Sequence, residues 1–153
     1  MYRLAVFDLD GTLADLSGWP FAGAEMYHDM RDAVRILHED GVILALATLM
    51  DVDSAESVLR GWGVRELFSC VMGRSSTYDK GVLIRGCMEA LGCSPDETLM
   101  IGDSPGDLRG ARSCGVDFVG APCSGFDTAF DGIYVPEDGY ALCRFILGRR
   151  RCA

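Results

Sequence analysis

Short apolar runs alternate with amphipathic segments along almost the entire chain, and this alternation limits the possible folds more than any other feature. Each run is short and ends at a polar or turn residue, as buried strands do. Strands that alternate with helices predict a parallel sheet covered by helices on both faces. The predicted strands are residues 5–7, 42–47, 68–72, 98–101 and 116–119, with a weaker sixth at 132–135; the predicted helices are 25–39, about 53–61, 80–91, 108–114 and 140–147.

The composition predicts one soluble domain over residues 1–153. Hydrophobic residues make up 49% and charged residues 24% of the chain, as in ordinary globular proteins. Asp8 and Asp10 interrupt the one early apolar run, so neither a signal peptide nor a membrane helix is predicted, and we expect a cytoplasmic protein. Seven cysteines without a C-x-x-C pair predict reduced thiols rather than a zinc site. A net charge of −9 makes nucleic acid an unattractive partner despite the basic residues 149–151.

Two carboxylates follow the first predicted strand. Asp8 and Asp10 are two residues apart and are followed by Gly11 and Thr12. The carboxyl ends of strands in open α/β sheets are where ligands bind. Two neighbouring acids repel each other there, which favours a divalent cation or a reaction that uses one ionised and one protonated acid.

Other reactive side chains occupy equivalent positions. Thr48 ends the second apolar run, Asp103 and Asp107 follow the fourth, and Lys80, the only lysine, lies in the first turn of a helix that Asp79 caps. A helix dipole disfavours a cation in its first turn, so Lys80 is expected to have an anionic partner. Clustered carboxylates require a cation, and Mg²⁺ prefers such oxygen ligands. A cation, an ammonium and a hydroxyl together suit a phosphoryl group, which an aspartate can attack.

These residues, in this order, resemble the four motifs of the haloacid dehalogenase superfamily. The resemblance extends from about residue 4 to residue 120. It implies a three-layer α/β/α Rossmann-like domain with a mainly parallel sheet of five to six strands in the order 5-4-1-2-3. It also implies a mobile turn after the first motif, at residues 14–23. The residues that carry the resemblance are Asp8-Leu9-Asp10-Gly11-Thr12, Thr48, Lys80 and Gly102-Asp103-Ser104-Pro105-Gly106-Asp107.

The resemblance also implies a role for each side chain. Asp8 would be the nucleophile, and Asp10 would protonate the leaving group, activate water and bind Mg²⁺ through its carbonyl. Lys80 would neutralise charge on the phosphoryl group. Gly81 stands where the family often has proline, and Arg74 is the nearest substitute cation. The implied catalytic residues are Asp8, Asp10, Thr48 and Lys80; the phosphate-binding residues are Asp8, Thr48, Leu49 and Lys80; the Mg²⁺-binding residues are Asp8, Asp10, Asp103 and Asp107. Asp107 would act through water or by orienting Lys80, although an acid at a helix N-terminus also has a purely structural explanation.

The acid at position 10 favours a phosphatase among the reactions of this superfamily. Ester hydrolysis needs a proton donor for the departing alkoxide, and Asp10 supplies one. The alternatives are a phosphomutase or other phosphotransferase, or a non-catalytic domain that binds phosphate or a partner. A phosphomutase needs a cap over its intermediate, and a non-catalytic domain would be expected to have lost Asp8, Asp10 or Lys80.

The spacing of the motifs leaves no room for a sizeable cap domain. Thr12 and Thr48 are separated by 35 residues, and the predicted helix at 25–39 uses most of them. The site is therefore expected to be open, shaded at most by a loop that contains Trp19 and Phe21. An open site suits a large phosphorylated substrate, or a small one enclosed by a lid from a second subunit in a homo-oligomer.

Overall fold

Five parallel strands and five α-helices alternate in the computed structural model, which describes residues 1–18, 23–74, 78–122 and 132–151. The side chains of residues 149–151 and the Trp19 and Phe21 loop lie outside the described part. The strands are β1 (Leu4–Phe7), β2 (Ile43–Asp51), β3 (Phe68–Arg74), β4 (Thr98–Gly102) and β5 (Asp117–Gly120). The helices are α1 (His28–Glu39), α2 (Val52–Gly61), α3 (Lys80–Leu91), α4 (Pro105–Ser113) and α5 (Gly139–Arg151), with 3₁₀ turns at Arg65–Leu67 and Pro95–Glu97.

The strand order is β3-β2-β1-β4-β5, which confirms the predicted order of 5-4-1-2-3. Phe7, at the end of β1, is paired with Leu46 of β2 and Ile101 of β4. The central strands therefore end close to one another at the carboxyl edge of the sheet, where the polar motifs begin.

Both faces of the sheet are buried, as the three-layer prediction requires. Successive side chains of a strand point to opposite faces. On one face, Val6 and Ala45 pack against α3 and α4 through residues such as Ile84 and Ala111. On the other face, Phe7 and its neighbours pack against α1, α2 and α5. The motif-bearing turns at the sheet edge are thus anchored to a rigid core.

Strand β2 is longer than predicted. The apolar run was expected to end at Thr48, but β2 continues to Asp51 and pairs there with Arg74 of β3 after an irregularity in register. Thr48 consequently lies on a strand that extends beyond β1. Pairing with β3 explains the extension, because it satisfies backbone groups that a strand ending at Thr48 would leave free.

The weak sixth strand was predicted wrongly. Residues 132–135 form no strand; the described part of the segment contributes one backbone hydrogen bond, in which Gly120 N donates to Tyr134 O. Gly132 has a positive φ of 87° and begins the segment with a turn. Pro136 follows it and has no N–H to continue a ladder. The sheet of the described chain therefore has five strands.

Three helices also differ from the prediction in their bounds, and one of them is α5, which continues to Arg151 rather than ending at residue 147. Helix α1 begins at His28 rather than residue 25, and Tyr27 at its N-cap provides no side-chain cap. Helix α4 begins at Pro105 rather than residue 108, because Ser104 caps it and Pro105 suits a first helical position. None of the described helices has the length and apolar character needed to cross a bilayer.

Candidate active site

The residues assigned in the sequence to catalysis, phosphate binding or Mg²⁺ binding all lie around one cleft of about 590 Å³ at the carboxyl edge of the sheet. The first turns of α3 and α4 form one wall, and the ends of β1, β2 and β4 form the floor. No cap domain interrupts the described connections around this cleft. The predicted residues that line it are Asp8, Asp10, Thr48, Leu49, Lys80, Asp103 and Asp107.

Lys80 lies at the centre of a buried charge network. Its Nζ is 2.7 Å from Asp8 Oδ1 and 2.9 Å from Asp107 Oδ1, and it donates a hydrogen bond of 2.7 Å to the carbonyl of Ala47. All three ammonium protons therefore have an acceptor. The anionic partner expected from the position of Lys80 in its helix is confirmed, and there are two of them.

Helices α3 and α4 approach each other closely where Lys80 begins. Asp79 caps α3 by accepting a hydrogen bond from Gly81 N, as predicted. A Cβ at Gly81 would lie 2.4 Å from Ser113 Oγ, and one at Gly110 would lie 2.9 Å from both Gly81 N and Lys80 Cβ. The glycine that replaces the family's proline thus allows α4 to press against the first turn of α3 and hold Lys80 in place.

Replacing Gly110 by alanine is expected to lower the free energy of unfolding by about 1–3 kcal/mol, since the new methyl group meets backbone atoms that cannot rotate away. Gly106→Ala, in the same helix, is the matched control, because the nearest atom to its Cβ is 3.7 Å away. Urea denaturation of both variants measures the difference. Equal stability of the two would show that α3 and α4 are less tightly packed than described.

The conformation and close packing of the turn after β1 explain why Gly11 follows the two aspartates. Its φ is +82°, and a Cβ there would lie 2.0 Å from Asp103 Oδ2. The turn after β1 therefore packs its bare backbone against the Asp103 carboxylate. This contact brings the first and last motifs together, and one oxygen each from Asp8, Asp103 and Asp107 lies within 4.8 Å of the others.

Asp107 caps helix α4 in addition to contacting Lys80. Its Oδ2 accepts hydrogen bonds from Asp103 N at 3.1 Å and Ser104 N at 3.2 Å, and Ser104 Oγ accepts one from Asp107 N. This is a capping box, which fixes the start of α4. The sequence reasoning did not single out Ser104, although S-x-x-D before a helical segment is the signal for such a cap.

The other motif residues differ in exposure. Thr12, which received no separate role, is fully buried, and its Oγ1 is 3.4 Å from Asp8 Oδ2. Thr48 is also buried, and its Oγ1 accepts a hydrogen bond from Met50 N. Asp10 is exposed, and its Oδ1 accepts a hydrogen bond of 2.8 Å from Leu16 N. The Asp10 carboxylate is therefore held at the mouth of the cleft by the loop that follows it.

Two of the three central carboxyls, Asp8 and Asp103, have raised pKa values. Burial, together with the hydrogen bond and charge of Asp8 and the charge of Asp107, raises the pKa of Asp103 to about 8. Burial also raises the pKa of Asp8, against the opposing effect of the Lys80 ammonium. For Lys80 itself, burial lowers the pKa, but Asp8 and Asp107 outweigh it and raise the pKa above its ordinary value.

The donor set fits a hard divalent cation. Carboxylate oxygens from Asp8, Asp103 and Asp107 converge, and the pKa values of Asp8 and Asp103 are raised, first by burial and then by the neighbouring negative charges. A cation favours the ionised form of each and relieves this repulsion. Lys80 alone cannot do so, because its ammonium faces Asp8 and Asp107 and no contact with Asp103 is found among the described residues.

Known proteins share both the sequence pattern and the fold. The sequence profile of haloacid dehalogenase-like hydrolases matches residues 22–121. A pyrophosphatase of Halalkalibacterium halodurans is 30% identical over 118 residues, covering 72% of this chain and 55% of the relative. A phosphoglycolate phosphatase of Rhodospirillum rubrum is 30% identical over 120 residues, covering 76% and 48%. The crystal structure of a predicted phosphatase from Clostridium acetobutylicum has a TM-score of 0.83 at 20% identity and covers 97% of this chain and 99% of its own.

The sheet order and the acidic cleft define a Rossmann-like α/β domain whose ligand site lies at the carboxyl edge of its strands. Together with the profile match, they identify the particular group: the chain belongs to the haloacid dehalogenase-like hydrolase family. The chain spans about half the length of the curated relatives it matches.

Proposed function

We propose that this protein is a Mg²⁺-dependent phosphatase that hydrolyses a phosphate monoester through an aspartyl-phosphate on Asp8. The observation that carries the proposal is the buried contact of Asp8 with Lys80 at the floor of an open cleft. A buried carboxylate held by an ammonium is oriented and kept from water, which suits a nucleophile. In this proposal Asp8 Oδ attacks phosphorus, and the ester oxygen departs.

Asp10 is proposed as the general acid and base. It lies two residues after the nucleophile and at the mouth of the cleft, where the leaving group would be. Its carboxyl would give a proton to the departing oxygen and then take one from the water that attacks the phosphoryl group on Asp8. The hydrogen bond from Leu16 N holds one carboxylate oxygen and leaves the other for this transfer.

The remaining residues are proposed to bind the phosphoryl oxygens and the cation. Lys80, Thr48 and Leu49 line the floor beside Asp8 and are assigned to the phosphoryl group. Asp8, Asp103 and the backbone carbonyl of Asp10 are assigned to Mg²⁺, which supplies positive charge against the phosphoryl oxygens when bound. Both oxygens of Asp107 already accept hydrogen bonds or face Lys80, which favours its role in orienting Lys80.

The raised pKa of Asp103 makes the stability of the cation-free protein depend on pH. This carboxyl stabilises the fold while it is protonated, and that stability is lost as the pH rises through about 8. We therefore expect this contribution to lower Tm in EDTA as the pH rises from about 4 to about 8, and Mg²⁺ to restore Tm. Asp103→Asn should raise Tm in EDTA at high pH by at least about 2–4 °C and remove the response to Mg²⁺.

Thermal melts with and without Mg²⁺ measure this prediction. The control is Asp96→Asn, which removes an exposed acid outside the cleft and should keep the wild-type response. A Mg²⁺ response that survives Asp103→Asn would contradict the assignment of Asp103 to the cation.

The substrate is proposed to be a phosphate monoester, and the open cleft admits either a large one or a small one covered by a second subunit. The named relatives act on pyrophosphate and phosphoglycolate, both compact anions. With no cap over the described cleft, either a large substrate or a lid from a second subunit would exclude water. Measurement of the oligomeric state with and without substrate distinguishes these two arrangements.

The direct test is release of inorganic phosphate from a panel of phosphomonoesters that includes p-nitrophenyl phosphate. Turnover is expected with Mg²⁺ and not with EDTA. Transfer of phosphate to a second substrate without release would favour a phosphotransferase instead. Absence of any turnover by folded protein with saturating Mg²⁺ would refute the enzymatic proposal.

A further inference from the structure

Among the described residues, two cationic side chains line the cleft, Lys80 and Arg109. Lys80 is paired with Asp8 and Asp107. Arg109 is exposed, and no ion pair or side-chain hydrogen bond is found for it within the described part of the chain. As an exposed side chain in the cleft lining, Arg109 can contact a ligand bound there.

The guanidinium is directed toward the start of its helix. Its Nη2 lies 3.9 Å from the position of a Cβ at Gly106, which also lines the cleft. Arg109 is the fifth residue of the nine-residue helix α4, whereas Arg112 lies in its last turn. The closeness of the Arg109 guanidinium to Gly106 places it beside other residues that line the cleft.

The rest of the cleft repels negative charge. Among the residues that the structure describes, five acids line the cleft: Asp8, Asp10, Asp79, Asp103 and Asp107. A leaving group with its own negative charge would be disfavoured there without a cation on the same side. A guanidinium suits this task because its planar fork binds carboxylate or phosphate through two hydrogen bonds.

From these observations we infer that Arg109 is a specificity-determining residue that binds a second anionic group on the substrate. The substrate class is a phosphate monoester whose leaving group carries a carboxylate or a further phosphate. This inference rests on the proposed phosphatase function and adds to it the chemistry of the leaving group.

The test compares three esters that differ in one group. 2-Hydroxyethyl phosphate is the reference, because its leaving group is uncharged. Phosphoglycolate carries a carboxylate in place of the hydroxymethyl group, and ethylene glycol bisphosphate carries a second phosphate in place of the hydroxyl group. The wild type should prefer at least one anionic ester, and the preferred one identifies the group. Arg109→Gln should lower the ratio of kcat/KM between that ester and the reference by about tenfold. Added salt should lower the same ratio in the wild type.

Arg112→Gln is the matched control, because it removes the same charge from the same helix outside the cleft. It should leave kcat/KM for all three esters unchanged. An unchanged ratio in Arg109→Gln, or an equal fall in Arg112→Gln, would overturn the inference while the phosphatase function stands. If the wild type hydrolysed p-nitrophenyl phosphate but preferred neither anionic ester, the inference about Arg109 would likewise be overturned and the phosphatase function would stand. Absence of turnover on every ester would overturn both.

Discussion

Asp8→Asn is expected to lower phosphate release by at least about 10³-fold, because the amide cannot attack phosphorus and its role has no substitute in the proposed mechanism. The fold should survive. Asparagine has almost the same shape, Lys80 keeps its contact with Asp107, and one of three crowded carboxylates is removed. The measurement is kcat/KM on p-nitrophenyl phosphate, with circular dichroism to confirm folding.

Asp15→Asn provides the control for this substitution. Asp15 is an exposed acid seven residues later whose carboxylate accepts a hydrogen bond from Ser17 N. It lies outside the cleft lining, so its variant should retain wild-type turnover. If Asp8→Asn kept activity within about tenfold of wild type, Asp8 would be excluded as the nucleophile.

Lys80→Met is expected to reduce both stability and activity. It removes the ammonium between Asp8 and Asp107 and leaves two buried carboxylates facing each other. Loss of one partner from a buried ion pair costs about 3–5 kcal/mol of unfolding free energy. Turnover should fall by about 10²–10³-fold, because a fixed positive charge beside the phosphoryl group is lost. Urea denaturation in EDTA and phosphate release in Mg²⁺ measure the two effects.

The double variant Lys80→Met with Asp107→Asn separates the two effects. Asp107→Asn removes one of the carboxylates left without a partner, so part of the lost stability should return. Activity should not return, because the positive charge beside Asp8 is still missing. Wild-type stability in the single variant would show that Asp8 and Asp107 are protonated or hydrated rather than paired with Lys80.

Most of the architecture could be predicted because it depends on local patterns. A short apolar run that ends at a turn predicts a strand from local sequence alone. Strands that alternate with helices leave few arrangements other than a parallel sheet. The strand order came from the resemblance to a known family and is confirmed. Two strand predictions were wrong. Strand β2 continues beyond Thr48 because β3 pairs with it, and residues 132–135 form no strand because they lie between a turn at Gly132 and Pro136.

The gathering of the motif residues around one cleft could be predicted, but their contacts could not. Ser104 and Thr12 were missed as individual contributors, because each acts through hydrogen bonds with an aspartate of the site. The availability of Arg109 also became visible only with the fold, since its sequence neighbours do not reveal which face of α4 lines the cleft.

By itself, the sequence determined which reactive side chains follow the predicted strands and in what order they occur along the chain. Only the tertiary structure decided that Lys80 has two carboxylate partners, that Gly110 packs against the start of the Lys80 helix, and that burial beside Asp8 and Asp107 raises the pKa of Asp103 to about 8. The reason is physical. Strand and helix signals depend on neighbours in the chain, whereas ion pairs and pKa values depend on distances of a few ångströms between segments that are far apart in sequence.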